Sequence, residues 1–414
     1  FTALPYAKGR RYFDAVALAE CLSPPASSCR RQSVFTRKLL SLSRFNEDQM
    51  PALKKIAIQN FRNIAFQELS FAPNINCISG NNGEGKTNLM DAVWYLSMTK
   101  SAFASSDRFN FRHGTDSFAV SGTYSMNMGP DARFSVQVDG KGEKKVRRDD
   151  KAYSKISDHI GVLPIVMVSP SDTSLVSESG EDRRRFVNSV LSQMDREYLA
   201  AMQQYNRLLF QRNKMLKDGT FDEALLDVFD ERMNEYAGAI HARREAFVRD
   251  LLPLVAGHYA TLSGGRETVS IDYRSDLAKG SLSDLLKASR EKDRMFRYTT
   301  VGIQRDDFLF GMNGFPIRRC GSQGQQKSFL VSLKFAQYEL MKTRYGFPPM
   351  LLLDDVFDKL DMGRISNLLG LVAGSDFGQI FITDSNKVRM SGIVDGLTAD
   401  RAYFEAVGGE FRMI

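Results

Sequence analysis

The sequence predicts an α/β fold, a head with a mixed β-sheet interrupted by an inserted helical domain shaped as a short antiparallel arm. Three observations carry this. A short apolar strand near residue 75 runs into a glycine-rich loop and then a helical pattern. A second apolar strand ends in two carboxylates, Asp354 and Asp355. Between the two lie stretches of helical periodicity too long for a compact sheet core to absorb. The 414 residues, 43% hydrophobic and 25% charged, suit two or three domains or one domain with a large insertion. The expected boundaries are 1–49, an extension; 50–180, the first lobe of the head; 181–297, the helical insertion; and 298–414, the second lobe.

Residues 1–49 read as foreign to the rest. They are rich in Ser, Arg and Ala, contain Pro24-Pro25 and keep no sustained period. They also carry eight basic and four acidic residues, so only +3 of the net +7 belongs to residues 50–414. Any affinity for nucleic acid must then come from local patches. Met50 opens a clean alternation over Leu53–Ile58, which reads as a first strand. The expectation is that Met50 is the native start and that residues 1–49 are disordered or an artefact of start-site choice. Four scattered cysteines form no CxxC pair, and with four histidines a zinc centre is not expected. No apolar run approaches the roughly 18 residues of a membrane span, so a soluble, cytoplasmic protein without membrane partners is expected.

Next comes Ile75–Ser79, a short buried strand, followed by Gly80-Asn81-Asn82-Gly83-Glu84-Gly85-Lys86-Thr87. This is GxxxxGK[ST] in its strand–loop–helix setting, because Leu89, Ala92, Val93 and Leu96 recur at helical spacing. The glycines let the backbone turn its N–H groups onto phosphates, and the helix N-terminus adds partial positive charge. Lys86 is placed to reach the β- and γ-phosphates of ATP, and the Thr87 hydroxyl to bind Mg²⁺. Further on, Lys141, Lys144, Lys145, Arg147 and Arg148 surround a hairpin signal at Gly140 and Gly142, a candidate patch for DNA. Arg183–Arg185 and Arg243-Arg244 are further candidates; a solvated charged loop is the alternative for the hairpin, and ion pairing inside the head the alternative for Arg183–Arg185. No interleaving of aromatic and basic residues marks a dedicated single-strand stacking groove.

Residues 181–262 read as long helices, with an interruption expected at Pro253. Ser322-Gln323-Gly324-Gln325-Gln326 then precedes an apolar helical stripe. Ser322 suits an N-cap, and Gln325 three residues later completes a capping box. Such a helix N-terminus can bind a γ-phosphate through Ser322, Gly324 and Gln325. Pro349–Asp355 is a buried strand that delivers Asp354 to Mg²⁺ and Asp355 to the attacking water.

With Lys359-Leu360-Asp361 behind the carboxylates, this order of motifs resembles the ATP-binding-cassette class of P-loop ATPases. In that class the SxGQ helix of one subunit closes on the nucleotide held by another, so the resemblance implies a homodimer holding two ATPs. Thr383-Asp384 stands where the class places a switch histidine. The insertion is too short for the long coiled-coil arms of chromosome-condensation or break-repair ATPases.

Finer matches resemble the RecF family. They are Asn60-Phe61-Arg62-Asn63, the run Gly85-Lys86-Thr87-Asn88-Leu89-Met90-Asp91-Ala92, Lys100-Ser101-Ala102-Phe103, Ser169-Pro170-Ser171-Asp172 with Arg183–Phe186, and Gly302–Phe308. Ile303-Gln304 replaces the family's Pro-His. The resemblance implies that Arg62 and Asn88 join the nucleotide site. It further implies ATP-dependent dimerisation, binding to gapped DNA at single- and double-strand junctions, and work with RecR and RecO to load RecA. A weak DNA-stimulated ATPase acting as a switch, and a link to the SOS response, also follow from it. The alternative is a short-armed cassette ATPase of a defence or regulatory system that acts on a protein.

Overall fold

The computed structural model describes residues 51–414 except 127–128, 178–179, 220–221, 357–376, 388–391, 393 and 395–399. Residues 1–49, and Lys359-Leu360-Asp361, lie outside the described residues.

The first lobe begins with β1 (Ala52–Phe61) and β2 (Ile64–Ser70), then β3 (Ile75–Ser79) and helix α1 (Lys86–Met98). After it come β4 (Ser117–Ser125), β5 (Ala132–Asp139), β6 (Lys144–Arg148), β7 (Lys151–Ala152) and β8 (Ile165–Val168). Strands β2-β1-β4-β5-β6-β7 form an antiparallel sheet in that order. Its strands alternate in burial, as one-sided sheets do: β4 turns Phe118, Val120 and Tyr124 inward.

The helical segment follows as α2 (Gly180–Met194), α3 (Arg196–Asp218) and α4 (Glu223–Ser263). Strand β9 (Val269–Arg274) and two short helices, α5 (Leu282–Ala288) and α6 (Arg290–Phe296), complete it. Helix α4 has 41 residues, about 60 Å at 1.5 Å per residue. The interruption expected at Pro253 does not occur: the helix continues to Ser263 and ends at Gly264, whose φ of 73° provides the left-handed cap. Val255, Tyr259 and Leu262 beyond the proline are buried, and their packing outweighs the lost backbone hydrogen bond.

The second lobe holds β10 (Asp307–Met312), β11 (Phe315–Pro316), α7 (Gln323–Tyr345), β12 (Met350–Asp354), β13 (Ile380–Asp384), β14 (Arg401–Val407) and β15 (Glu410–Met413). Strands β15-β14-β3-β13-β12-β8 make the second sheet, parallel except for β15. Its central strands β3, β12 and β13 are buried at every residue, because both faces are covered. On one face α1 is packed between the two sheets through Leu89, Val93 and Leu96. On the other, Ile75, Leu351 and Ile380 share a core with Phe329 and Leu333 of α7 and with Met233, Ile240 and Phe247 of α4. The helical segment is thus built onto the head, and β9 pairs with β10 of the second lobe. Among the described residues, no helix is long and apolar enough to cross a membrane.

Candidate functional site

The parallel register fixes the site. Asp354 at the end of β12 lies opposite Thr383 of β13, and Thr383 lies opposite Ile78 at the end of β3. The carboxyl ends of three adjacent strands therefore converge where the glycine-rich loop begins, as expected for an open α/β sheet. Two glycines are required there. A Cβ on Gly80 would meet the Ala406 carbonyl oxygen at 2.6 Å, and Gly85 has φ 103° with Asn63 Nδ2 2.7 Å from where a Cβ would stand.

Within the loop Lys86, almost fully buried, donates to the carbonyls of Gly80 (2.8 Å) and Asn81 (3.1 Å). The Thr87 hydroxyl donates to Asp354 Oδ2 at 2.9 Å across 267 positions of sequence. Thr383 Oγ1 donates to Asp354 Oδ1 at 2.7 Å and accepts from the Asp355 backbone N–H at 2.9 Å. Asp355 itself takes a left-handed φ of 45°, a conformation that must be held by its surroundings. Burial raises the pKa of the Asp354 carboxyl above its ordinary value; the hydrogen bonds from Thr383 and Thr87 oppose that rise. Thr383 thus braces the carboxylate pair.

A cleft of about 1020 Å³ opens at this point. Asn82, Gly83, Gly85, Lys86, Thr87, Asn88 and Asp355 line it. So do Gln323, Gly324, Gln326 and Lys327 from the first turn of α7, and Thr173, Ser177 and Ser385. Ser322 and Gln325 form the expected capping box: Gln325 N–H donates to Ser322 Oγ, and Ser322 N–H donates to Gln325 Oε1. Neither side chain lines the cleft. Glu84 turns away from it, its side chain and carbonyl accepting from the N–H groups of Gly408 and Gly409 in the β14–β15 turn. Arg62 also stands back. Its guanidinium is engaged by Asn88 (3.1 Å), Ser101 (3.0 Å), Asn110 (3.3 Å) and the fully buried Asp91 (2.7 Å). Arg62 therefore orients Asn88, which does line the cleft. Ser385 was not foreseen, although its place just beyond the strand beside Asp354 was a usable signal.

Mg²⁺ takes hard oxygen ligands, usually one or two from protein with the rest from phosphate and water. The Thr87 hydroxyl and Asp354 carboxylate, 2.9 Å apart at the loop, fit that demand. No group of three or more His, Cys, Asp or Glu placed to hold a metal ion occurs among the described residues.

The basic hairpin is present: β5 and β6 pair across a turn in which Gly142 has φ 84°. It divides into two groups. Lys141, Lys145 and Arg148 are exposed and Arg147 is half-buried. Lys144 is engaged within the chain: its ammonium is held by the Thr99 carbonyl (2.6 Å), Asp107 (2.8 Å) and the Tyr95 ring. Arg183 and Arg244 resolve the same way, as buried partners of Asp307 (2.8 Å) and Asp306 (2.5 Å). Arg243 pairs with Asp195 at 2.7 Å.

Residues 52–399 match the model of the RecF/RecN/SMC N-terminal domain. The DNA replication and repair protein RecF of Phocaeicola vulgatus is 41% identical over 360 residues, 86% of this chain and 97% of its own. That of Porphyromonas gingivalis is 41% identical over 359 residues, 86% of this chain and 99% of its own. A solved structure of the recombination mediator protein RecF with ATP, in the RecFOR pathway, superposes with a TM-score of 0.80 at 28% identity, covering 88% of this chain and 98% of that one. The Smc head of Pyrococcus furiosus, 14% identical with a TM-score of 0.53, shares the fold.

Proposed function

The chain belongs to the RecF family of the ABC/SMC ATPase superfamily, and from that premise we propose that it is an ATP-gated, DNA-binding recombination mediator for single-strand gap repair and replication restart. In this reading Lys86 and the loop N–H groups hold the triphosphate, Thr87 and Asp354 hold Mg²⁺, and Asp355 orients water. The ion supplies charge neutralisation at the transferred phosphoryl group.

The observation that carries the reading is the convergence of Lys86, Thr87, Asp354 and Asp355 on one face, with the capped N-terminus of α7 on that same face. The cleft, about 1020 Å³, sits at the top of the ligand-pocket range of about 300–1,000 Å³. ATP bridging two copies then links nucleotide binding to dimerisation by mass action. Hydrolysis reopens the clamp as a weak, DNA-stimulated switch. RecR and RecO are the partners of this clamp, RecA loading its outcome, and the SOS response its cellular context. The test is particle mass with no nucleotide, with Mg-ATP, and with Mg-ATP plus a gapped duplex. A dimer that forms only with ATP and is retained on DNA is expected. A single-copy particle at saturating ATP would overturn the clamp.

A further inference from the structure

Beyond the nucleotide cleft, three cavities follow one another along α2. The first, about 500 Å³, has Trp94, Phe103 and Phe186 among its walls, with Lys100, Arg185 and Ser189 at its far end. The second, about 380 Å³, shares Lys100, Arg185 and Ser189 with the first and adds Gln203 and Asn206. The third, about 310 Å³, shares Arg185, Asn188 and Asn206 with the second and adds Arg184. Successive cavities share wall residues, so they lie side by side as a grooved line of depressions along α2, and the first shares Thr173 with the nucleotide cleft.

The groove is chemically uneven in a useful way. Lys100 is exposed and has no carboxylate partner among the described residues. Crowding by protein atoms, and then repulsion from Arg185 and Lys144, hold its ammonium below its ordinary pKa. An anion placed between Lys100 and Arg185 would relieve that repulsion. Among the described residues Arg185 pairs with Glu181 and Asp182 of its own helix, and its side chain is 65% exposed. Exposed pairs of this kind are weak enough for a phosphate to displace. Behind these cations stand amides and hydroxyls suited to sugar and phosphate oxygens, and at one end three aromatic side chains from separate elements.

We propose that this groove binds single-stranded nucleic acid, with Lys100 and Arg185 facing the phosphates and bases entering the aromatic first cavity. The proposal rests on the DNA-binding reading above and names a site on the chain for it. Concavity selects the strand. A duplex is a stiff rod with a persistence length of about 150 bp and touches only the rims, whereas a flexible strand can follow the floor and stack its bases.

The test is fluorescence anisotropy of a labelled oligothymidylate, and separately of a blunt duplex, against the full chain with Mg-ATP over a series of salt concentrations. In Lys100→Glu/Arg185→Glu the single-strand affinity is expected to fall roughly tenfold or more, and the salt slope to shrink by about 1.4, two contacts at about 0.7 each. Duplex binding is expected to change far less. The milder Lys100→Ala/Arg185→Ala variant guards against misfolding, and Arg185→Lys should keep the slope. Unchanged single-strand affinity and slope in either double variant, with ATP binding intact, would overturn the groove while leaving the mediator reading in place. Equal losses for strand and duplex would also overturn it. A wild-type chain that binds no nucleic acid would overturn the mediator reading itself, and the groove with it.

Discussion

Thr383→Val is the most informative single change, because it keeps the side-chain shape and deletes one hydroxyl. That hydroxyl is fully buried, donates to Asp354 at 2.7 Å and accepts from the Asp355 N–H at 2.9 Å. A hydrogen bond to a charged group contributes about 1.5–3 kcal/mol, and one pKa unit corresponds to 1.36 kcal/mol. Losing it removes a hydrogen bond that opposes the effect of burial, so the already elevated Asp354 pKa should rise further. The Asp355 N–H also loses the hydroxyl to which it donates, removing one restraint on a residue held at φ 45°. Two assays read the change. Mg²⁺-dependent binding of a fluorescent ATP analogue, followed against pH, should show its acidic midpoint move to higher pH. Turnover at alkaline pH should drop at least about tenfold, or roughly 1.4 kcal/mol in barrier, with little change in nucleotide affinity there. A variant with the wild-type midpoint and wild-type turnover would refute the brace.

The wild-type protein has its own pH signature. The folded pKa of Asp354 lies above its unfolded value, so the group's destabilising contribution is present above the folded pKa and relieved as pH falls through it. Mg²⁺-nucleotide affinity runs the other way: full while Asp354 is ionised, it should decline on acidification at a pH above the ordinary aspartate range, as isothermal titration in graded buffers would register. Arg244→Ala strands the fully buried Asp306 and should cost about 3–5 kcal/mol in urea unfolding; a loss below about 1 kcal/mol would put Arg244 among exposed, weakly coupled pairs.

What the sequence made legible was local. The strand–loop–helix around Lys86, the apolar strand ending at Asp354, the capping box of Ser322 and Gln325, and the hairpin at Gly142 each lie within a short window whose residue types dictate the backbone. What it hid was set by partners far along the chain. Thr383 becomes a brace only because the β12–β13 register puts it opposite Asp354. Lys144 looks like a free cation until Thr99 and Asp107 close on it. Arg183 and Arg244 read as a basic surface until Asp307 and Asp306, more than sixty positions away, bury them. Trp94 and Phe103 are far from Phe186 in sequence, yet α1, its following loop and α2 bring all three to one cavity. Pro253 was misleading because burial on both sides of it sustains the helix.

The central claim is that each working nucleotide site takes Lys86 from one copy and Ser322 from another. Lys86→Ala and Ser322→Arg chains, co-expressed with different affinity tags and purified over both, give a mixed dimer. By two-fold symmetry that dimer contains one site with both lesions and one with neither. ATP hydrolysis measured on it should recover toward half the wild-type rate, although each parent alone is inactive. A mixed dimer no more active than its parents would place both residues in the same copy's site and contradict the account.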